Sequence, residues 1–185
     1  MFNTITIVGV GLISGSFSLA LKDRGLVKKV IGVSRTEASA KKALELGIID
    51  EILPLAEAVK QSDLIYVAIP VDVTVPVMGS IMDIVTDKQI VADAGSTKHF
   101  LCSALANHPM RKRFVATHPM WGTEYSGPES ATRDSFAGRS CVICEKEKSD
   151  AGAVKIIEDL YKHLGMHIAY MEPDAHDMHA AYVSH

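Results

Sequence analysis

Two polar segments of this 185-residue chain carry residue types that can move a proton beside a bound small molecule. One is Ala116-Thr-His-Pro-Met-Trp-Gly-Thr-Glu-Tyr-Ser-Gly-Pro128, which holds the chain's only tryptophan. The other is Ala92-Asp-Ala-Gly-Ser-Thr-Lys98. His118 follows an apolar run, Phe114-Val115-Ala116, and Pro119 restrains the backbone after it. An imidazole with an ordinary pKa near neutrality, held at a strand's C-terminal end, is a candidate general base. Ser96 is either a hydrogen-bonding partner in the same site or the N-cap of the next helix.

A third segment suits a nucleotide. Ile5-Thr-Ile-Val-Gly9-Val10-Gly11-Leu12-Ile13-Ser14-Gly15 lies between a β-branched run and a helical pattern. That is the context of a dinucleotide fingerprint. Gly9 allows the tight turn, Gly11 allows a pyrophosphate to approach, and the helix start offers free N–H groups to it. Ser14 stands at the third glycine position and is expected to be small enough for close helix–strand packing. Val10, Leu12 and Ile13 belong to the same cofactor loop, and Ala68, Ile69 and Pro70 end a later strand on the same side. The second strand ends in Gly32-Val-Ser34-Arg35-Thr36, without the acid that binds a ribose 2′-hydroxyl. Ser34, Arg35 and Thr36 can instead receive a 2′-phosphate, so NADP is favoured over NAD. Alternatively Arg35 is a solvated turn residue, and Ser34 and Thr36 cap the next helix.

The elements that must hold these segments alternate. Strands are predicted at residues 4–8, 29–33, 64–69, 89–92, 114–117, 139–144 and 166–171. Helices are predicted at residues 16–24, 37–46, 74–85, 98–107 and 150–164, with another opening at Pro173. This order predicts an α/β fold, a Rossmann-like, doubly wound, mostly parallel sheet with its strand C-termini on one edge. Residues 1–171 form the nucleotide-binding domain. Residues 172–185 are expected to open a further helix that either begins an incomplete second, helical domain or needs a partner chain, with Met178, Ala181 and Tyr182 as an exposed apolar face. His176 and His179 fall on what looks like a solvated helix face.

Composition limits the function. The chain is 48% apolar with a net charge of −3, so no basic surplus points to nucleic acid. The Arg111-Lys112-Arg113 run is assigned to a solvated turn. No apolar run reaches the roughly 18 residues of a membrane span, and no secretory leader opens the chain. Three cysteines suit a reduced cytoplasm. Cys141 and Cys144 fall on opposite faces of one strand, which argues against a metal pair.

The pair "DAGSTKHF" and "THPMWGTEYSGPE", followed by "FAGR", resembles the prephenate/arogenate dehydrogenases of tyrosine biosynthesis. The likeness runs from the glycine loop to the last residue. Asp93, Gly95, Ser96 and Lys98 match the first pattern; His118, Pro119, Met120, Gly122, Glu124, Ser126 and Gly127 match the second. Trp121 departs from the usual small residue and either shapes a substrate pocket or packs under the loop. The resemblance implies oxidative decarboxylation of a cyclohexadienol, prephenate or arogenate, with hydride passing to NADP or NAD. It implies His118 as the catalytic group, Ser96 bonded to His118 and to substrate, and Glu124 as a gating or ion-pair residue, with Thr123 in the same pocket. It also implies a homodimer through the C-terminal helical region, with His185 near an active-site motif. A non-catalytic NADP-binding module is the alternative from another class. A 3-hydroxyacid dehydrogenase relative is disfavoured, because Lys98 is followed four residues on by Cys102 rather than asparagine.

Overall fold

The alternating Thr and Ile side chains of Phe2–Val8 form β1, a central strand whose C-terminal half is buried. The structure is a computed structural model and describes residues 1–183. Seven further strands join β1: β2 Val27–Val33, β3 Glu51–Ile52, β4 Leu64–Val67, β5 Ile90–Asp93, β6 Phe114–Pro119, β7 Ser140–Cys144 and β8 His167–Met171. The sheet order is β3-β2-β1-β4-β5-β6-β7-β8. Strand order reverses between β1 and β4, the switch point at which such sheets open a crevice.

The first six strands are mutually parallel. β7 runs antiparallel to β6, and β8 is parallel to β7. The expectation that all strand ends share one edge therefore fails for the last two strands. The cause lies in residues 120–139, whose only helical piece is the 3-10 turn Pro128–Ser130. A parallel return needs a crossover long enough to span the sheet, usually a helix, and this connection lacks one.

Among the described residues, seven helices cover the sheet: α1 Leu12–Asp23, α2 Glu37–Glu45, α3 Leu55–Gln61, α4 Val71–Met82, α5 His99–Leu105, α6 Ala151–His163 and α7 Pro173–Val183. α1 starts four residues before the predicted point. Pro76 lies within α4 rather than in its first turn, because α4 begins directly after Pro70. β3, of two residues, and α3, of seven, are absent from the sequence prediction. The helix stops at Gly25, Gly47 and Gly165 hold, each with positive φ.

Two apolar clusters fill the two faces. One joins Phe17 of α1, Ala43 of α2 and Ile157 of α6; the other joins Val59, Met78 and Leu101 of α3, α4 and α5. Phe17 stacks on Tyr66 at 3.9 Å between ring centres, and both are fully buried. Truncating such a ring to alanine costs about 3–5 kcal/mol. Cys141 falls in the first cluster and Cys144 in the second, on opposite faces as predicted. Arg111 is not a solvated turn residue. Its side chain is buried, bonds the Phe114 carbonyl at 2.8 Å and pairs with Glu145 at 3.1 Å. No helix among the described residues is long and apolar enough to cross a membrane.

Candidate active site

β1 ends against Gly9, at φ +87°. A Cβ there would strike the Ala68 carbonyl oxygen and lie 2.8 Å from Ile69 Cγ2. Only glycine lets the ends of β1 and β4 meet so closely. Gly11 is the N-cap of α1, and a Cβ there would meet no protein atom within 4 Å. No side chain caps α1 and no acid occupies its first turn. The first-turn N–H groups therefore face open space, as an anion needs. Ser14 is fully buried against the turn that follows β1, small enough for the close packing expected of it. It donates to the Gly9 carbonyl at 2.6 Å, and at Gly15 a Cβ would sit 2.9 Å from Ala131.

A cleft of about 630 Å³ opens here. Gly9, Val10 and Gly11 form its floor, and Ser34, Arg35 and Thr36 one wall. Ala68, Ile69 and Pro70 form the facing wall. Leu12 and Ile13 line an adjoining cleft of about 570 Å³, which shares Gly11, Ala68, Ile69 and Pro70 with the first. This second cleft reaches Ser96, His118 and Thr123. A third, of about 410 Å³, continues past Ser96, His118 and Trp121 to Asp177 and Ala180 of α7. Arg35 is exposed at the first cleft. Thr36 also caps α2: its hydroxyl accepts the Ser39 N–H at 3.4 Å and donates to Ser39 Oγ at 2.9 Å.

The segment after β5 is clamped by a buried ion pair. Lys98 Nζ contacts Asp93 Oδ2, and both side chains are 0% exposed. Asp93 also accepts from Gly95 N at 3.0 Å and from Thr117 N at 3.1 Å. These bonds fasten the turn that carries Ser96 to the strand that carries His118. Behind them, the Thr117 hydroxyl bonds the Asp93 carbonyl and lies 3.1 Å from the Tyr161 hydroxyl, which donates to Tyr66 at 3.2 Å. Burial raises both phenol pKa values, so both rings stay neutral.

His118 is half-buried at the end of β6. Its Nδ1 lies 2.9 Å from His176 Nε2. His176 is 1% exposed, so it is not on a solvated face, whereas His179 is exposed as predicted. His176 Nδ1 lies 2.8 Å from Asp177 Oδ1. Asp177 accepts the Lys98 N–H at 2.7 Å and the His99 N–H at 3.0 Å. Burial would raise the Asp177 pKa, but the His99 N–H, His176 and the Lys98 N–H outweigh it and hold the carboxyl below the usual aspartate value. The His118 pKa is pushed down to about 4, first by burial, then by the Lys98 ammonium and by His176, with Asp177 opposing. The ring is neutral at pH 7 and can accept a proton.

The expected Ser96–His118 hydrogen bond does not form among the described residues. Ser96 is exposed in the cleft, and His176 takes the ring nitrogen. Glu124 is exposed and lines none of the three clefts, so it is not brought to His118. Trp121 packs edge-on against Phe136, with ring centres 5.4 Å apart, and also lines the cleft beside His118. His185 lies outside the described residues.

The profile of the family described as "Prephenate dehydrogenase, nucleotide-binding domain" matches residues 17–170. The prephenate dehydrogenase of Bacillus subtilis is 31% identical over 188 aligned residues, covering 100% of this chain and 51% of its own length. The crystal structure of prephenate dehydrogenase from A. aeolicus, in complex with hydroxyphenyl propionate and NAD+, superposes with a TM-score of 0.89 at 31% identity. That match covers 96% of this chain and 62% of that one. The Synechocystis arogenate dehydrogenase structure gives a TM-score of 0.88 at 26% identity, covering 98% and 64%. The chain thus spans about half the length of the Bacillus relative. With the glycine turn, the clamped serine loop and the strand-end histidine in one trough, the chain belongs to the prephenate dehydrogenase nucleotide-binding domain family.

Proposed function

We propose that the protein is a prephenate or arogenate dehydrogenase of tyrosine biosynthesis, acting with NADP or NAD. The observation that carries this is the trough joining the open start of α1 to the ring of His118. The free N–H groups at Gly11 and the empty space where its Cβ would stand suit a pyrophosphate. Ser34, Arg35 and Thr36 would hold the adenosine end, and the absence of an acid there favours NADP. Bound in the trough, the nicotinamide would supply the hydride acceptor.

His118 accepts the substrate's 4-hydroxyl proton as C4 loses hydride. The ring carboxylate leaves as CO2, and the electron pair of the broken C–C bond completes the aromatic ring. The phenol oxygen then recovers its proton, so His118 borrows a proton and returns it. Ser96 and Thr123 line the cleft where the substrate hydroxyl would sit. Glu124 would act only after its loop moves toward that cleft. α7 begins a helical unit that pairs two copies, with Met178 and Tyr182 exposed on it. Three buried, unpaired cysteines suit a cytoplasmic enzyme.

Absorbance at 340 nm with prephenate and arogenate, each with NADP+ and NAD+, tests the proposal. His118→Asn is expected to lose turnover by about 100-fold or more while nucleotide binding, read by Trp121 fluorescence, persists. Arg35→Ala is expected to weaken NADP+ by about tenfold and leave NAD+ unchanged. A chain that binds neither nucleotide refutes the assignment.

A further inference from the structure

The ring of His118 has a second neighbour that the proposed chemistry does not use. We propose that His176 and Asp177 are positioning residues that fix His118 in the tautomer with Nδ1 protonated and Nε2 bare toward the cleft. This rests on His118 being the proton acceptor of the proposed reaction.

The order of protons follows from the acceptors. An ionised carboxylate has no proton to give. Asp177 Oδ1, 2.8 Å from His176 Nδ1, already accepts the Lys98 N–H, so His176 Nδ1 carries the proton between them. A neutral His176 then has a bare Nε2. That atom lies 2.9 Å from His118 Nδ1 and can only accept from it. His118 is left with its lone pair on Nε2, on a ring that lines both the second and the third cleft. A neutral imidazole without such a partner prefers the opposite, Nε2–H form, which has nothing to offer a substrate hydroxyl. The partner on the second nitrogen decides which nitrogen can act.

The arrangement is well anchored. Asp177 is held by two backbone N–H groups at the start of α5, and His176 is buried, so neither group is free to turn away. The two rings meet at 76°, with centroids 5.1 Å apart, and His176 Nε2 stands at hydrogen-bond distance from His118 Nδ1. When His118 takes a proton at Nε2, its Nδ1–H still faces a neutral acceptor with a carboxylate behind it. The docked α7 is therefore part of the base, although His118 and His176 lie 58 residues apart in sequence.

Long-range 1H–15N spectra of the full chain labelled with 15N-histidine read each tautomer directly. Wild type is expected to show Nδ1–H and bare Nε2 at both His118 and His176. His176→Phe removes the acceptor and is expected to shift His118 to the Nε2–H form. It should lower kcat by about 100-fold, with KM and NADP+ affinity held within about threefold. His176→Gln, which retains an acceptor oxygen, should recover most of both readouts. Asp177→Ala, at a partly exposed position, releases His176 without opening the core and should give mixed tautomers at both rings. An Nε2–H His118 in the wild type, a doubly protonated His176, or an unchanged His118 in His176→Phe overturns the proposal. Wild type without turnover on either substrate, with the expected tautomers present, would instead count against the dehydrogenase assignment alone.

Discussion

Lys98→Met should destabilise the fold by about 3 kcal/mol, the lower end of the 3–5 kcal/mol lost when one member of a buried ion pair is removed. Lys98 and Asp93 are both 0% exposed, so neither charge is relieved by water. Asp93 accepts from three donors, Lys98 Nζ, Gly95 N and Thr117 N. The substitution leaves two neutral N–H donors on a buried carboxylate, and these keep the loss near the lower bound. For a chain of this size each kcal/mol moves the melting temperature by about 2–4 °C, so the expected drop is about 6–12 °C. Urea titration followed by Trp121 fluorescence and circular dichroism measures the free energy. Asp93→Asn combined with Lys98→Met removes the orphaned charge and should recover about half of the loss. A single variant within about 1 kcal/mol of wild type would refute the reasoning. So would a double variant no more stable than the single one, because the cost would then come from lost packing.

His118 predicts a pH dependence of stability. Its folded pKa of about 4 lies below the unfolded value of about 6.5, so the unfolded chain binds more protons between these limits. Stability is complete above pH 6.5 and falls as pH drops toward 4, by about 3 kcal/mol from this group alone. Urea midpoints should fall more steeply over that window in wild type than in His118→Asn, and parallel curves would refute the attribution. Gly9→Ala and Gly11→Ala should separate folding from binding. The first drives a methyl into the Ala68 carbonyl at positive φ and should cost about 2 kcal/mol or more, measured by thermal melting. The second meets no protein atom, so it should stay within about 1 kcal/mol of wild type yet weaken NADP+ at least tenfold by calorimetric titration.

The parts of the fold legible in the sequence were those whose burial leaves a local pattern. Buried strands such as Leu64–Val67 are continuous apolar runs, and α6 separates a polar from an apolar face. Strand direction leaves no such mark, and the alternation of strands and helices alone predicts a parallel β7. The available signal was negative: residues 120–139 contain no stretch of helical period long enough for a crossover. His176 was missed because burial of one polar residue does not disturb a helical period. Its neighbour Asp177 was the clue, since an adjacent His-Asp pair can satisfy a buried ring. Arg111 failed for the opposite reason. A run of three cations looks solvated, yet Phe114, Ser149 and Glu145 converge on its first member. Most residues expected to face a dinucleotide line one cleft, because turns that require glycine and free helix N–H groups are local properties.

The reversal of β7 explains why the segment after His118 is rich in glycine, proline and aromatic residues. β7 pairs beside β6 with His118 opposite Val142 and Pro119 opposite Cys141, so the connection leaves and re-enters the sheet at the same edge. It must fold back over the strand ends of the nucleotide-binding half. Met120 N–H bonds the Ser140 carbonyl at 2.8 Å and closes its mouth. Thr132 N–H bonds Ser16 of α1 at 2.8 Å, and Trp121 packs edge-on to Phe136, which fixes its middle. Gly127 and Pro128 then become walls of the cleft that Gly9 and Gly11 open. A parallel β7 would have carried the chain across a face of the sheet and left the trough open above His118. The same reversal leaves the far side of His118 uncovered by the loop, and α7 fills it with His176. Loop and helix thus hold one imidazole from two sides, and the sheet's change of direction makes room for both.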